Sequence, residues 1–144
     1  MGVLKLKISN PELEQRIISL FDKSNQEYDL GNYEDSIKYL EEAWDALPEP
    51  KGIYSDSYHF AFYLSETYLQ INNFNKANKW AEEIFTCGLD RIDSGERESL
   101  SGKVAYEMGD ISAARQYFKI ANEKSEGRCF IDEDKKYIEF FKQK

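Results

Sequence analysis

Gly31-Asn32-Tyr33-x-x-Ser36-Ile37-x-Tyr39-Leu40-x-x-Ala43-Trp44 recurs twice further along the chain. The second copy reads Asn72-Asn73-Phe74-x-x-Ala77-x-x-Trp80-Ala81-x-x-Ile84-Phe85, and the third Gly109-Asp110-Ile111-x-x-Ala114-x-x-Tyr117-Phe118-x-x-Ala121. Each copy has a turn residue, a large apolar residue two places later, a small residue three beyond that, and an aromatic three further on. Apolar residues at three- and four-residue intervals mark one face of a helix. Gly31 and Gly109 suit a helix C-terminus that needs positive φ, and Asn32, Asn73 and Asp110 suit the N-cap of the helix that follows. The small residue (Ser36, Ala77, Ala114) lets two helices approach closely, while the aromatics fill the gap to the next copy. The chain reads as a series of helix–turn–helix units.

Working outward from these anchors, the pattern predicts helices over 11–30, 33–47, 55–71, 74–87, 94–108, 111–125 and 132–143. Pro11 behind Asn10 is a first-turn signal, and Asp93-x-x-Glu96 reads as a capping box. Asp132, Glu133 and Asp134 open the final helix with charge that favours its N-terminus. Its apolar residues Tyr137, Ile138, Phe140 and Phe141 are expected to cover the end of the third unit. Residues 11–144 thus form one domain, with repeats near 11–47, 55–87 and 94–125 and a cap at 132–143. Val3-Leu4-Lys5-Leu6-Lys7-Ile8 alternates with period two. Residues 1–10 are therefore expected to form an extended arm laid along the first helices. An arm exchanged between two copies, making a homodimer, is the alternative the alternation leaves open.

These repeats resemble the tetratricopeptide (TPR) family, over roughly residues 12–126. The third copy matches the family's second-helix pattern most fully. Among first helices, Leu64, Ser65 and Tyr68 match in the second repeat, and Ser101, Gly102 and Ala105 in the third. Lys23, Ser24 and Glu27 depart from it in the first. The anchors Gly31, Asn72 and Gly109 stand 41 and 37 residues apart, against a family norm of about 34. The excess falls in Pro48-Glu49-Pro50-Lys51-Gly52 and Cys87-Gly88-Leu89-Asp90-Arg91. The resemblance implies an all-α, right-handed superhelical array of about three helix hairpins closed by a C-terminal capping helix.

Composition narrows the function classes. The 144 residues suffice for one buried core. Net charge is −8, from 27 acidic and 19 basic residues. No basic stripe appears that could serve nucleic acid, and an acidic surface steers basic partners inward. No stretch is apolar enough for a membrane span and no signal peptide is evident, so a cytoplasmic protein is expected. Cys87 and Cys129 belong to no metal-binding spacing and read as free thiols in a reducing compartment. His59 is the only histidine, which excludes a two-histidine metal site. Phosphate-loop, dinucleotide-binding and hydrolase-elbow motifs are missing. The expectation is a non-enzymatic protein without cofactor or metal.

The resemblance also implies where a partner would sit, because the first helix of each TPR repeat lines a groove. The corresponding positions are Asn25, Tyr28 and Asp29; His59, Phe62, Glu66, Leu69 and Gln70; and Lys103, Tyr106 and Glu107. Tyr28, Phe62 and Tyr106 would be anchors, and Asp29, Glu66 and Glu107 would select a basic segment. Tyr28, Phe62 and Leu69 read equally well as core. Gly127-Arg128-Cys129-Phe130, followed by Glu133-Asp134-Lys135-Lys136-Tyr137, resembles a closing motif of small bacterial TPR-like proteins found beside polymorphic toxins. Two partner classes follow: a peptide held by an adaptor, or a folded toxin domain neutralised by an immunity protein.

Overall fold

The computed structural model describes residues 8–54, 56–87, 94–131 and 133–143. It is all-helical: α1 (Pro11–Asp29), α2 (Tyr33–Ala46), α3 (Ser57–Gln70), α4 (Phe74–Ile84), α5 (Glu96–Glu107), α6 (Ile111–Ser125) and α7 (Lys135–Lys142), with short 3₁₀ turns at Lys51–Ile53 and Arg128–Phe130. The helices pack as hairpins α1–α2, α3–α4 and α5–α6. Each hairpin rests on the next through α2–α3 and α4–α5 contacts, and α7 lies against α6. Of the N-terminal arm, residues 1–7 fall outside the described residues, and Ile8 packs against the core.

The three hairpin turns are built alike. Gly31, Asn72 and Gly109 adopt φ of 81°, 63° and 82°. In each turn the next amide reaches back to a carbonyl near the end of the first helix: Asn32 to Glu27, Asn73 to Tyr68, and Asp110 to Ala105. This bonding satisfies carbonyls that a helix end would otherwise leave bare. Capping of the second helices is less uniform. Asn73 and Asp110 accept from the amides of Lys76 and Ala113, but Asn32 makes no capping bond. Its side-chain amide instead donates to Glu27 at 2.8 Å, so that expectation is corrected.

Close approach within the hairpins also follows one design. Ser24 Oγ donates to the Ser36 carbonyl at 2.8 Å and shares a 2.9 Å hydrogen bond with the Ser36 hydroxyl. Ser65 Oγ donates to the Ala77 carbonyl at 2.7 Å. In the third hairpin Gly102 holds this place, and a Cβ there would stand 2.8 Å from the Phe118 ring. Ser24 therefore serves the first hairpin as Ser65 serves the second, although its surrounding sequence departs from the pattern. Between hairpins, Trp44 and Trp80 meet edge to face with centroids 5.3 Å apart.

Two helix starts differ from expectation. Residue 93 lies outside the described residues, but α5 begins at Glu96 with Gly95 as its N-cap at φ 79°. Glu96 is thus the first helical residue and not the third, as a capping box requires. Gly95 takes a left-handed backbone just before the helix and sits close on α6, where a Cβ would fall 2.7 Å from the Ala121 carbonyl oxygen. Helix α7 starts at Lys135, leaving Glu133 and Asp134 ahead of it, where Glu133 binds Lys103 at 3.1 Å. Tyr137 and Phe140 are buried against Phe118, with ring centroids 6.0 and 6.1 Å away.

Candidate functional site

Helices α1, α3 and α5 turn one row of side chains each toward a shared trough. The residues concerned recur at three- and four-residue spacing: Asn25, Tyr28 and Asp29 on α1, Phe62, Glu66, Leu69 and Gln70 on α3, and Lys103 and Glu107 on α5. That spacing places them on one face of their helices.

The trough consists of three adjoining clefts. One of about 300 Å³ lies between α1 and α3, with Asn25, Tyr28 and Asp29 facing Tyr63, Glu66 and Thr67 above a floor of Ser24, Ser36 and Leu40. A second, about 340 Å³, runs from Tyr28, Glu66, Leu69 and Gln70 to Lys103, Glu107, Glu133 and Lys136. The third, about 390 Å³, is walled by Phe62, Glu96, Lys103, Lys124, Cys129 and Glu133. Tyr28 and Glu66 border the first two, and Lys103 and Glu133 the last two, so the surface is continuous.

Its electrostatics are uneven. At the cap end, Glu107 Oε1 accepts the Tyr137 hydroxyl at 2.8 Å and the Lys136 ammonium. Lys103 is held by Glu133. Between the third cleft and α6, Glu98 is only 3% exposed and is bound by Arg97 Nε and Lys124 Nζ, both at 2.9 Å. Glu66 differs from all of these: it has no hydrogen bond or ion pair among the described residues. Burial raises its pKa, Lys103 pulls it back down, and the Glu96 and Glu133 carboxylates raise it further. The Tyr28 phenol is also pushed up, first by burial and then by Glu66, Tyr33 and Asp29.

Of the residues expected to line a groove, Asn25, Tyr28, Asp29 and Glu66 come together around the first cleft. Leu69, Gln70, Lys103 and Glu107 join the second, and Phe62 the third. Phe62 also stacks on Tyr58 at 5.8 Å. Two lie elsewhere. Tyr106 turns into the cap, 4.9 Å from the Phe140 ring and 5.6 Å from Tyr137. His59 stacks on Tyr63 at 6.1 Å and sits 3.9 Å from Asp56, outside the three clefts. Sequence reasoning missed Tyr63, which stands one helical turn before Glu66 and was reachable by that spacing. It also missed Glu133 and Lys136, which reach the trough only because α7 folds back.

Both cysteines are free. Burial pushes the Cys87 thiol up to about 11 and also raises Cys129. Among the described residues no cluster of three or more His, Cys, Asp or Glu side chains is arranged to hold a metal ion. No helix among them is long and apolar enough to cross a membrane. No protein-family model matches the chain and no curated protein sequence matches it, so the TPR resemblance rests on the repeat pattern alone.

Proposed function

We propose that this chain is a TPR-like helical array, wound as a right-handed superhelix, that binds another protein through the trough of α1, α3 and α5. The observation that carries this reading is the continuity of three clefts along the first helices of successive hairpins. Aromatic, amide, carboxylate and cationic side chains line them together, a mixture suited to recognising polypeptide. The charge in the α1–α3 region is acidic, which fits a basic partner. The binding needs no catalytic step and no cofactor.

The test is capture of partners from native lysate by the tagged chain at low and high salt, repeated with Phe62→Ala/Glu66→Ala. The expected result is one or more partners held by the wild-type chain and lost by the double variant. Undiminished capture by the double variant would sink the trough assignment. A single basic, folded partner that survives high salt, and whose toxicity the chain suppresses, would place it among immunity proteins. Salt-labile capture of short segments would mark an adaptor.

A further inference from the structure

We infer that the cleft between α1 and α3 receives one arginine side chain from a basic partner segment, with Glu66 as its carboxylate ligand. This inference rests on the trough-binding reading and adds to it the residue recognised and where it lodges.

Three candidates were open along the trough, and charge pairing separates them. In the third cleft Lys103, Lys124 and Arg128 are already engaged by Glu133, Glu98 and the Ser125 carbonyl. In the second, Glu107 is occupied by Tyr137 and Lys136. Glu66, shared by the first two clefts, is the half-buried trough carboxylate with no hydrogen bond or ion pair among the described residues; Lys103 bears on its charge from across the second cleft without pairing with it. Asp29, at the rim of the first cleft, makes no ion pair among them either.

The chemistry of the walls specifies the occupant. A carboxylate set back in a cleft is poorly solvated, and burial already disfavours its charge. A cation delivered there would restore the lost solvation. Guanidinium is less strongly hydrated than ammonium, is planar, stacks on aromatic faces and meets a carboxylate through two parallel hydrogen bonds. Tyr28 and Tyr63 supply aromatic walls, and Asn25 and Asp29 supply acceptors for its remaining N–H groups. A lysine would place its compact, heavily hydrated charge among the same rings with less gain.

The test is selection of a random peptide library on the full-length chain, followed by affinity measurement and amide chemical-shift mapping. Glu66→Gln is the key variant, and Glu34→Gln, an exposed carboxylate in the first turn of α2, is the charge-matched control. The Gln side chain breaks no hydrogen bond or ion pair among the described residues, because Glu66 makes none there. The expected result is peptides that perturb α1 and α3 amides and share one arginine. Replacing that arginine by lysine, or Glu66 by Gln, is expected to weaken binding about tenfold, with Glu34→Gln near neutral. Peptides that map to the trough but bind Glu66→Gln equally well, or need no arginine, overturn the inference and leave the trough reading standing. Peptides that map elsewhere, or none at all, overturn both.

Discussion

Glu66 and Glu107 belong to neighbouring first helices and border the same cleft, yet among the described residues one makes no hydrogen bond or ion pair and the other makes two. Glu107 lies where α7 folds back, and Tyr137 and Lys136 of that helix close over it. Glu66 lies one hairpin earlier and is left without a hydrogen bond or ion pair among the described residues, although Glu133 and Lys136 line the far side of the cleft it borders. The two are not copies of one repeat position, since Glu66 stands six residues before Asn72 and Glu107 two before Gly109; what separates them is whether α7 covers the carboxylate. At the cap end, Tyr106 and Glu107 are absorbed into the closure. At the α1–α3 end, Tyr28 and Glu66 line an open cleft.

The strongest way to break this contrast is to loosen the cap. Phe140 is buried against Tyr106 and Phe118, with Arg115 stacked 4.6 Å over its ring. Phe140→Ala is expected to cost about 3–5 kcal/mol of stability. Hydrogen exchange should show α7 losing protection while α1 to α3 keep theirs. Equal loss throughout would mean that the two ends form one cooperative unit, and the division drawn here would fail.

A smaller effect separates two glycines with the same backbone. Gly31 has φ 81° with no atom within 4 Å of where a Cβ would stand, whereas Gly95 has φ 79° and the Ala121 carbonyl at 2.7 Å. Gly31→Ala should cost about 1 kcal/mol, the left-handed backbone term alone. Gly95→Ala should cost about 3 kcal/mol, since α5 must also move off α6. Denaturant unfolding of both variants measures the difference. Equal costs would show that the start of α5 yields without resistance.

Much of the hairpin architecture was legible because its demands fall on single residues. A positive φ calls for Gly or Asn, and a close helix crossing calls for Ser, Ala or Gly, so Gly31, Asn72, Gly109, Ser36, Ala77 and Ala114 announce their places. The close seat of Gly95 on α6 was not legible, since it depends on the Ala121 carbonyl, 26 residues further on. The pairing of Glu98 with Lys124 and of Glu107 with Tyr137 depends in the same way on partners brought from afar. Among trough residues, helical spacing found Asn25, Tyr28, Asp29 and Glu66 together. It could not tell that Tyr106 turns away, because the same spacing describes a groove residue and one buried under a cap.

The smallest expected effect bears most directly on the two carboxylates. Glu107→Gln keeps an acceptor for Tyr137 but loses the charge that strengthens the bond, a cost of about 1 kcal/mol. The half-exposed Lys136 adds little to it. Glu66→Gln should do the opposite. In the folded chain the Glu66 carboxyl holds its proton above the ordinary value of 4.5, so the folded state binds more protons than the unfolded one. Stability contributed by this group therefore falls as pH rises from 4.5 toward the raised value. Glutamine, which cannot ionise, escapes that loss. The Glu66→Gln chain should melt above wild type at about pH 7 and level with it near pH 4. A wild-type chain that melts higher at neutral pH would mean that the attraction of Lys103 outweighs the burial of Glu66, and the asymmetry between the two ends would disappear.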